Sequence, residues 1–116
     1  MLLVEDEAGT QDALATLLRM DGWQVLTAYD GVEALALLEE HIPDVVVTDY
    51  MMPNVDGLEL IERIRSTPAL LELPVVLTSA TRLDRDSYRN AEAFLPKPIN
   101  LPELRKVLVT LVRRRG

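Results

Sequence analysis

Val45-Val46-Val47-Thr48-Asp49 is an unbroken β-branched run that stops on a carboxylate, and Tyr50-Met51-Met52-Pro53 leads the chain away from it. A strand that is apolar at every position, not at every second one, has both faces covered. That is the habit of strands in the middle of a parallel sheet. Pro43 stands two residues before the run and ends whatever helix precedes it. Pro74 introduces a second run of the same kind, Val75-Val76-Leu77-Thr78. Shorter apolar stretches at Leu2 to Val4, Trp23 to Ala28 and Ala93 to Leu95 read as three further strands.

Helical patterns fill the gaps. Residues 8–20 carry Leu14, Leu17 and Leu18 at helical spacing. Asp30 with Glu33 three residues on is a capping pattern, followed by Val32, Leu35, Ala36 and Leu38. Asp56-Gly57-Leu58-Glu59 repeats it, and Leu60, Ile61 and Ile64 continue a helix to about Ser66. Asn100 and Glu103 open a last helix on Leu104, Val107, Leu108 and Leu111. Arg113-Arg114-Arg115 then meets the negative end of its dipole. Strands alternating with helices imply right-handed crossovers. The fold class is therefore α/β, a five-stranded, doubly wound parallel sheet with helices on both faces. Residues 1–116 read as a single domain, with no linker, repeat or low-complexity tract.

Composition narrows the function. At 48% hydrophobic and 27% charged the chain is too apolar for a disordered tail. No apolar run is long enough to span a bilayer, and no secretory leader is expected. A formal net charge of −7 argues against direct nucleic-acid binding, because phosphates would be repelled. Without cysteine there is no disulfide, thiolate metal site or thiol nucleophile, which suits the cytoplasm.

In an open parallel sheet ligands bind at the carboxyl ends of the strands. Here the first strand ends in Glu5-Asp6, the third in Asp49, the fourth in Thr78-Ser79, and the fifth near Lys97. Each has a plain alternative role. Glu5 and Asp6 would suit a helix N-terminus, Asp49 a loop, Ser79 a turn, Lys97 a solvated surface. Their arrival at one edge on successive strands is what singles them out. Carboxylates about 4 Å apart at an effective dielectric near 20 repel by roughly 4 kcal/mol per pair. Such a cluster needs a cation or retained protons. Hard oxygen donors favour Mg²⁺ or Mn²⁺ over zinc. Mg²⁺ usually takes one or two carboxylates, which leaves one free to act as a nucleophile and form an acyl phosphate. A metal, an ammonium and a hydroxyl would neutralise the phosphoryl oxygens.

Together these stretches resemble the receiver domain of two-component response regulators. The resembling segments are Leu3-Val4-Glu5-Asp6-Glu7, Val46 to Pro53, Asp56-Gly57-Leu58-Glu59-Leu60, Pro74 to Ala80, and Phe94-Leu95-Pro96-Lys97-Pro98. They occur in the family's order and span nearly the whole chain. The resemblance implies a flavodoxin-like sheet of order 2-1-3-4-5. It implies Asp49 as phospho-acceptor, and a metal held by Asp6, Asp49 and the Met51 carbonyl, with Glu5 acting through water. Ser79 would meet a phosphoryl oxygen, with Thr78 in its place should the register slip by one. Ala80 leaves the phosphoryl path open. Lys97 would pair with the acidic site and Phe94 would be the switch aromatic. The Lys97–Pro98 bond is expected to be cis. The donor would be a phosphohistidine of a sensor histidine kinase or phosphotransfer protein. The recipient would be a downstream effector or output domain.

Two readings of another kind compete. A metal-dependent phosphatase using an aspartyl phosphate would carry its nucleophile after the first strand and need a lid. A degenerate receiver would bind partners without phosphorylation. The chain also departs from the family. Residues 80–96 alone separate Ser79 from Lys97, several fewer than usual, and Thr81 to Asn90 is polar with little apolar stripe. A short, frayed or distorted fourth helix is expected there. The homodimer or partner contact usually made on that face would be altered.

Overall fold

The computed structural model describes residues 1–115, with side chains through Arg113. Arg114 and Arg115, part of the expected basic helix end, have side chains outside those described. Five parallel strands form one sheet: β1 (Leu2–Val4), β2 (Leu26–Ala28), β3 (Val46–Asp49), β4 (Val75–Ser79) and β5 (Ala93–Pro96). Their order is 2-1-3-4-5, as the resemblance implies. Four helices complete the described residues, α1 (Ala8–Met20), α2 (Gly31–Glu40), α3 (Gly57–Arg65) and α4 (Leu101–Arg115), with one 3₁₀ turn at Pro68–Leu70.

The side-chain alternation of the strands sorts the core into two layers. Leu2, Val4, Val46, Val75 and Leu77 pack against Ala34 and Leu38 of α2 and Leu60, Ile61 and Ile64 of α3. Leu3, Val47 and Val76 turn the other way, onto Leu14 and Leu18 of α1 and Leu104, Leu108 and Leu111 of α4. Every residue of β1, β3 and β4 is buried, which is why those runs are apolar up to the polar residues that close β3 and β4. A one-residue slip of β3 would exchange the two layers and turn Asp49 away from the position that it now holds.

The caps form as the sequence indicates. Asp30, Asp56 and Asn100 accept the backbone N–H of Glu33, Glu59 and Glu103 at 2.8, 2.9 and 2.9 Å. Two expectations need correction. The second strand does not begin at Trp23 but at Leu26. The Trp23 N–H still bonds back to the Leu18 carbonyl of α1, and the Arg19 guanidinium takes the Val25 carbonyl. Backbone groups spent that way cannot join the ladder. Between β4 and β5 the expected shortening goes to completion. Among the described residues, 80–92 form turns and no helix. Only Leu83, Tyr88 and Ala91 of that segment pack on the core, and all three only partly. Asp84 takes the Ser87 N–H and hydroxyl with its side chain, a local bond that competes with helix.

Candidate functional site

The three central strands end together and bring their last residues to one edge. Glu5 and Asp49 are buried there, while Asp6 is exposed. Carboxylate oxygens of Glu5, Asp6 and Asp49 all lie within 4.8 Å of one another. Lys97, just past β5, reaches in from the far side. Its Nζ donates to Glu5 Oε1 at 2.6 Å and to Asp49 Oδ2 at 2.8 Å. The Lys97–Pro98 bond is cis, as expected.

One ammonium against three carboxylates leaves the cluster anionic. The Asp6 carboxyl, exposed at the rim, is pushed above the usual aspartate range, by partial desolvation first and then by its hydrogen bond with Glu5 and the charges of Glu5 and Asp49. Burial pulls the Lys97 ammonium down, but its bonds to Asp49 and Glu5 outweigh that and raise it above the ordinary lysine value. Both directions describe a place that wants positive charge. An all-oxygen donor set of this kind fits a hard divalent cation such as Mg²⁺ or Mn²⁺.

Ser79 closes β4, fully buried, and its Oγ accepts the Thr81 N–H at 2.9 Å. Thr78 pairs with Asp49, and its hydroxyl is turned to the Thr48 carbonyl at 3.4 Å. Met51 follows two residues after Asp49 with an exposed side chain. Ala80 and Lys97 border an open, largely apolar groove of about 700 Å³ that runs along α1 past Thr10, Ala13 and Leu17. Phe94 lies half-buried on β5, one strand from Ser79.

Residues 1–109 match the family model of the response regulator receiver domain. This chain belongs to that family. The receiver domain is 38% identical to the response regulator MprA of Mycobacterium sp. (strain KMS), over 98% of this chain and 50% of that protein. It thus spans about half the length of the curated relatives it matches. Among solved structures, the Francisella response regulator 1452 receiver domain superposes with a TM-score of 0.90 at 28% identity, covering 99% of this chain and 97% of that one. The response regulator TrrA of Thermotoga maritima, solved in complex with Mg²⁺ and BeF, gives a TM-score of 0.86 at 29% identity, covering 95% and 96%. No helix among the described residues of this receiver domain is long and apolar enough to cross a membrane.

Several supporting residues escaped sequence reasoning. Glu7, and not Glu5 or Asp6, caps α1 by accepting the Gly9 and Thr10 N–H groups at 3.1 and 2.6 Å. Glu5 is left to take the Glu7 N–H at 3.0 Å with its second oxygen. Buried Gln11 donates to the carbonyls of Glu5 and Ala28 at 3.1 and 2.9 Å, tying the ends of β1 and β2. It lies on the same α1 stripe as Leu14 and Leu18, and a polar residue there was the available signal. Gly57 lets α3 start against the end of β3. A Cβ there would overlap the Asp49 carbonyl and lie 2.9 Å from Tyr50 Cα. The Gly57 N–H donates to the Tyr50 carbonyl at 2.8 Å and fixes the loop that leaves Asp49.

Proposed function

We propose that this receiver domain takes a phosphoryl group onto Asp49 from a phosphohistidine of a sensor histidine kinase or phosphotransfer protein. The resulting change in its surface is then read by a downstream effector or output domain. The observation that carries the proposal is the pairing of a three-carboxylate cluster with Lys97 bonded to two of its members. No helix-capping or surface role explains a lysine shared between buried Glu5 and Asp49.

Asp49 supplies the nucleophile. One of its oxygens forms a bond to phosphorus as the phosphorus–nitrogen bond to the donor imidazole breaks, and the electron pair stays on that nitrogen. Lys97 orients Asp49 through its hydrogen bond and stabilises charge on the phosphoryl oxygens. The Ser79 hydroxyl, at the end of the adjacent strand, donates to one of those oxygens. A Mg²⁺ or Mn²⁺ ion held by Asp6, Asp49 and the Met51 carbonyl, with Glu5 acting through water, would neutralise the equatorial oxygens when bound. That the similar TrrA was solved with Mg²⁺ and BeF supports a divalent cation here by likeness. The domain is a signalling acceptor that helps its own transfer and dephosphorylation, not an enzyme acting on a separate substrate.

The test is mass analysis after incubation with Mg²⁺ and acetyl phosphate, for wild type and Asp49→Asn. A metal-dependent adduct in wild type alone is expected. No adduct in either, with the fold intact, would leave a phosphorylation-independent interaction module as the better reading.

A further inference from the structure

Tyr88 lies in the polar stretch Thr81 to Asn90. In the structure its ring stacks on Phe94, with centroids 4.7 Å apart and planes 16° from parallel. Tyr88 comes from the segment 80–92, which has no helix to hold it. Both rings are half-buried. With Ser79, Leu83 and Pro96 they line a cavity of about 470 Å³. The segment is tied to the site at its start, where the Thr81 N–H donates to Ser79 Oγ at 2.9 Å. It is tied down at its far end, where Arg65 holds the Asn90 carbonyl and the Glu92 carboxylate. Between those ties the stack joins the partly buried Leu83 and Ala91 in holding its middle against the core.

A Ser79 hydroxyl that moves toward a phosphoryl group on Asp49 must carry the Thr81 amide with it or lose that bond. The segment can follow only if its middle is released. We propose that Tyr88 is a positioning residue for phosphoryl uptake, whose stack on Phe94 holds residues 80–92 in the resting arrangement and opposes the movement of Ser79. The inference rests on the acceptor role of Asp49 proposed above. Where the resting arrangement predominates in the free protein, a contact made only in it weakens binding at the site by the same factor by which it favours that arrangement. For a stacked aromatic pair that factor is about two- to tenfold.

The experiment is a calorimetric titration with beryllofluoride, a phosphoryl mimic, at saturating Mg²⁺, on wild type, Tyr88→Leu and Tyr88→Phe. Leu keeps apolar volume without the stack, and Phe keeps the stack. Tyr88→Leu should bind about two- to tenfold tighter, and Tyr88→Phe like wild type. Amide exchange of residues 81–92 in the metal-free protein should quicken by a similar factor in Tyr88→Leu only. Equal affinity in all three proteins, or weaker binding by Tyr88→Leu, overturns the role of Tyr88 and leaves Asp49 as the acceptor. No binding by any of them removes the acceptor reading, and the role of Tyr88 with it.

Discussion

The acid site and the segment 80–92 meet at the carboxyl end of β4 but are built by opposite means. Glu5, Asp6 and Asp49 lie at or just past the ends of strands whose neighbours pair residue by residue, Leu2 to Val4 with Val46 to Thr48 and Val46 to Asp49 with Val75 to Thr78. Their positions are set by a repeated ladder with apolar cover on both faces. Residues 80–92 have no ladder and no helix, and hang on a few side chains. Arg65 reaches Asn90, Leu71, Leu73 and Glu92, and Glu92 in turn accepts the Val75 N–H at 2.6 Å. The contrast separates a part that must keep its geometry from a part that can change it. Local stability should be high at the first and low at the second.

Removing the charge that balances the rigid half should cost most. Lys97→Met leaves Glu5 and Asp49 buried beside each other without their ammonium. We expect a loss of about 3 kcal/mol in urea unfolding of the metal-free protein at neutral pH. Lys97 titrates above the ordinary lysine value in the fold. Its contribution is therefore complete below the unfolded lysine pKa and is lost as pH climbs through the higher folded one. A cost near zero would mean that the acid site does not rely on Lys97.

Cutting the anchor of the other half should cost less and act locally. Arg65→Ala removes the guanidinium bonds to Asn90, Leu73 and Glu92. We expect about 2 kcal/mol, because charge-assisted bonds are lost and backbone carbonyls are left to water. Amide exchange should rise in residues 80–92 and stay unchanged in β1 and β3. A uniform rise across the sheet would erase the distinction between the two regions.

The smallest effect should have the opposite sign. The Asp6 carboxyl has its pKa raised in the fold. Folding therefore favours its protonated form, and stability drains away as pH rises from the unfolded aspartate pKa through the folded one. Asp6→Asn should stabilise the metal-free protein at neutral pH by less than about 1 kcal/mol, since the group is exposed and screened. The gain should vanish below the unfolded pKa, and the variant should bind Mg²⁺ more weakly. A loss of stability at neutral pH would show that Asp6 is not a strained member of the acid cluster.

The rigid half was legible in the chain because its signals are local. Val45 to Thr48 is apolar at every position, and the acids follow the strands directly. Asp30, Asp56 and Asn100 cap helices within three residues of themselves. The other half was read only as a lack of pattern, which indicated a distorted helix and not its complete absence. What replaces the helix lies far off in sequence. Arg65 reaches Asn90 and Glu92 across more than twenty positions. Gln11 and Gly57 were passed over for the same reason, since their partners belong to other elements.

By itself the sequence determined the alternation of strands and helices, the two-sided core and which residues gather at the carboxyl edge. Those follow from periodicity, capping and strand direction, each of which acts over a few residues. Only the tertiary structure decided that Lys97 is shared between Glu5 and Asp49 and that Glu7 takes over the cap of α1. It also decided that Tyr88 lies on Phe94 in place of a helix. These depend on distances between atoms of different elements, which exist only after the two layers have packed.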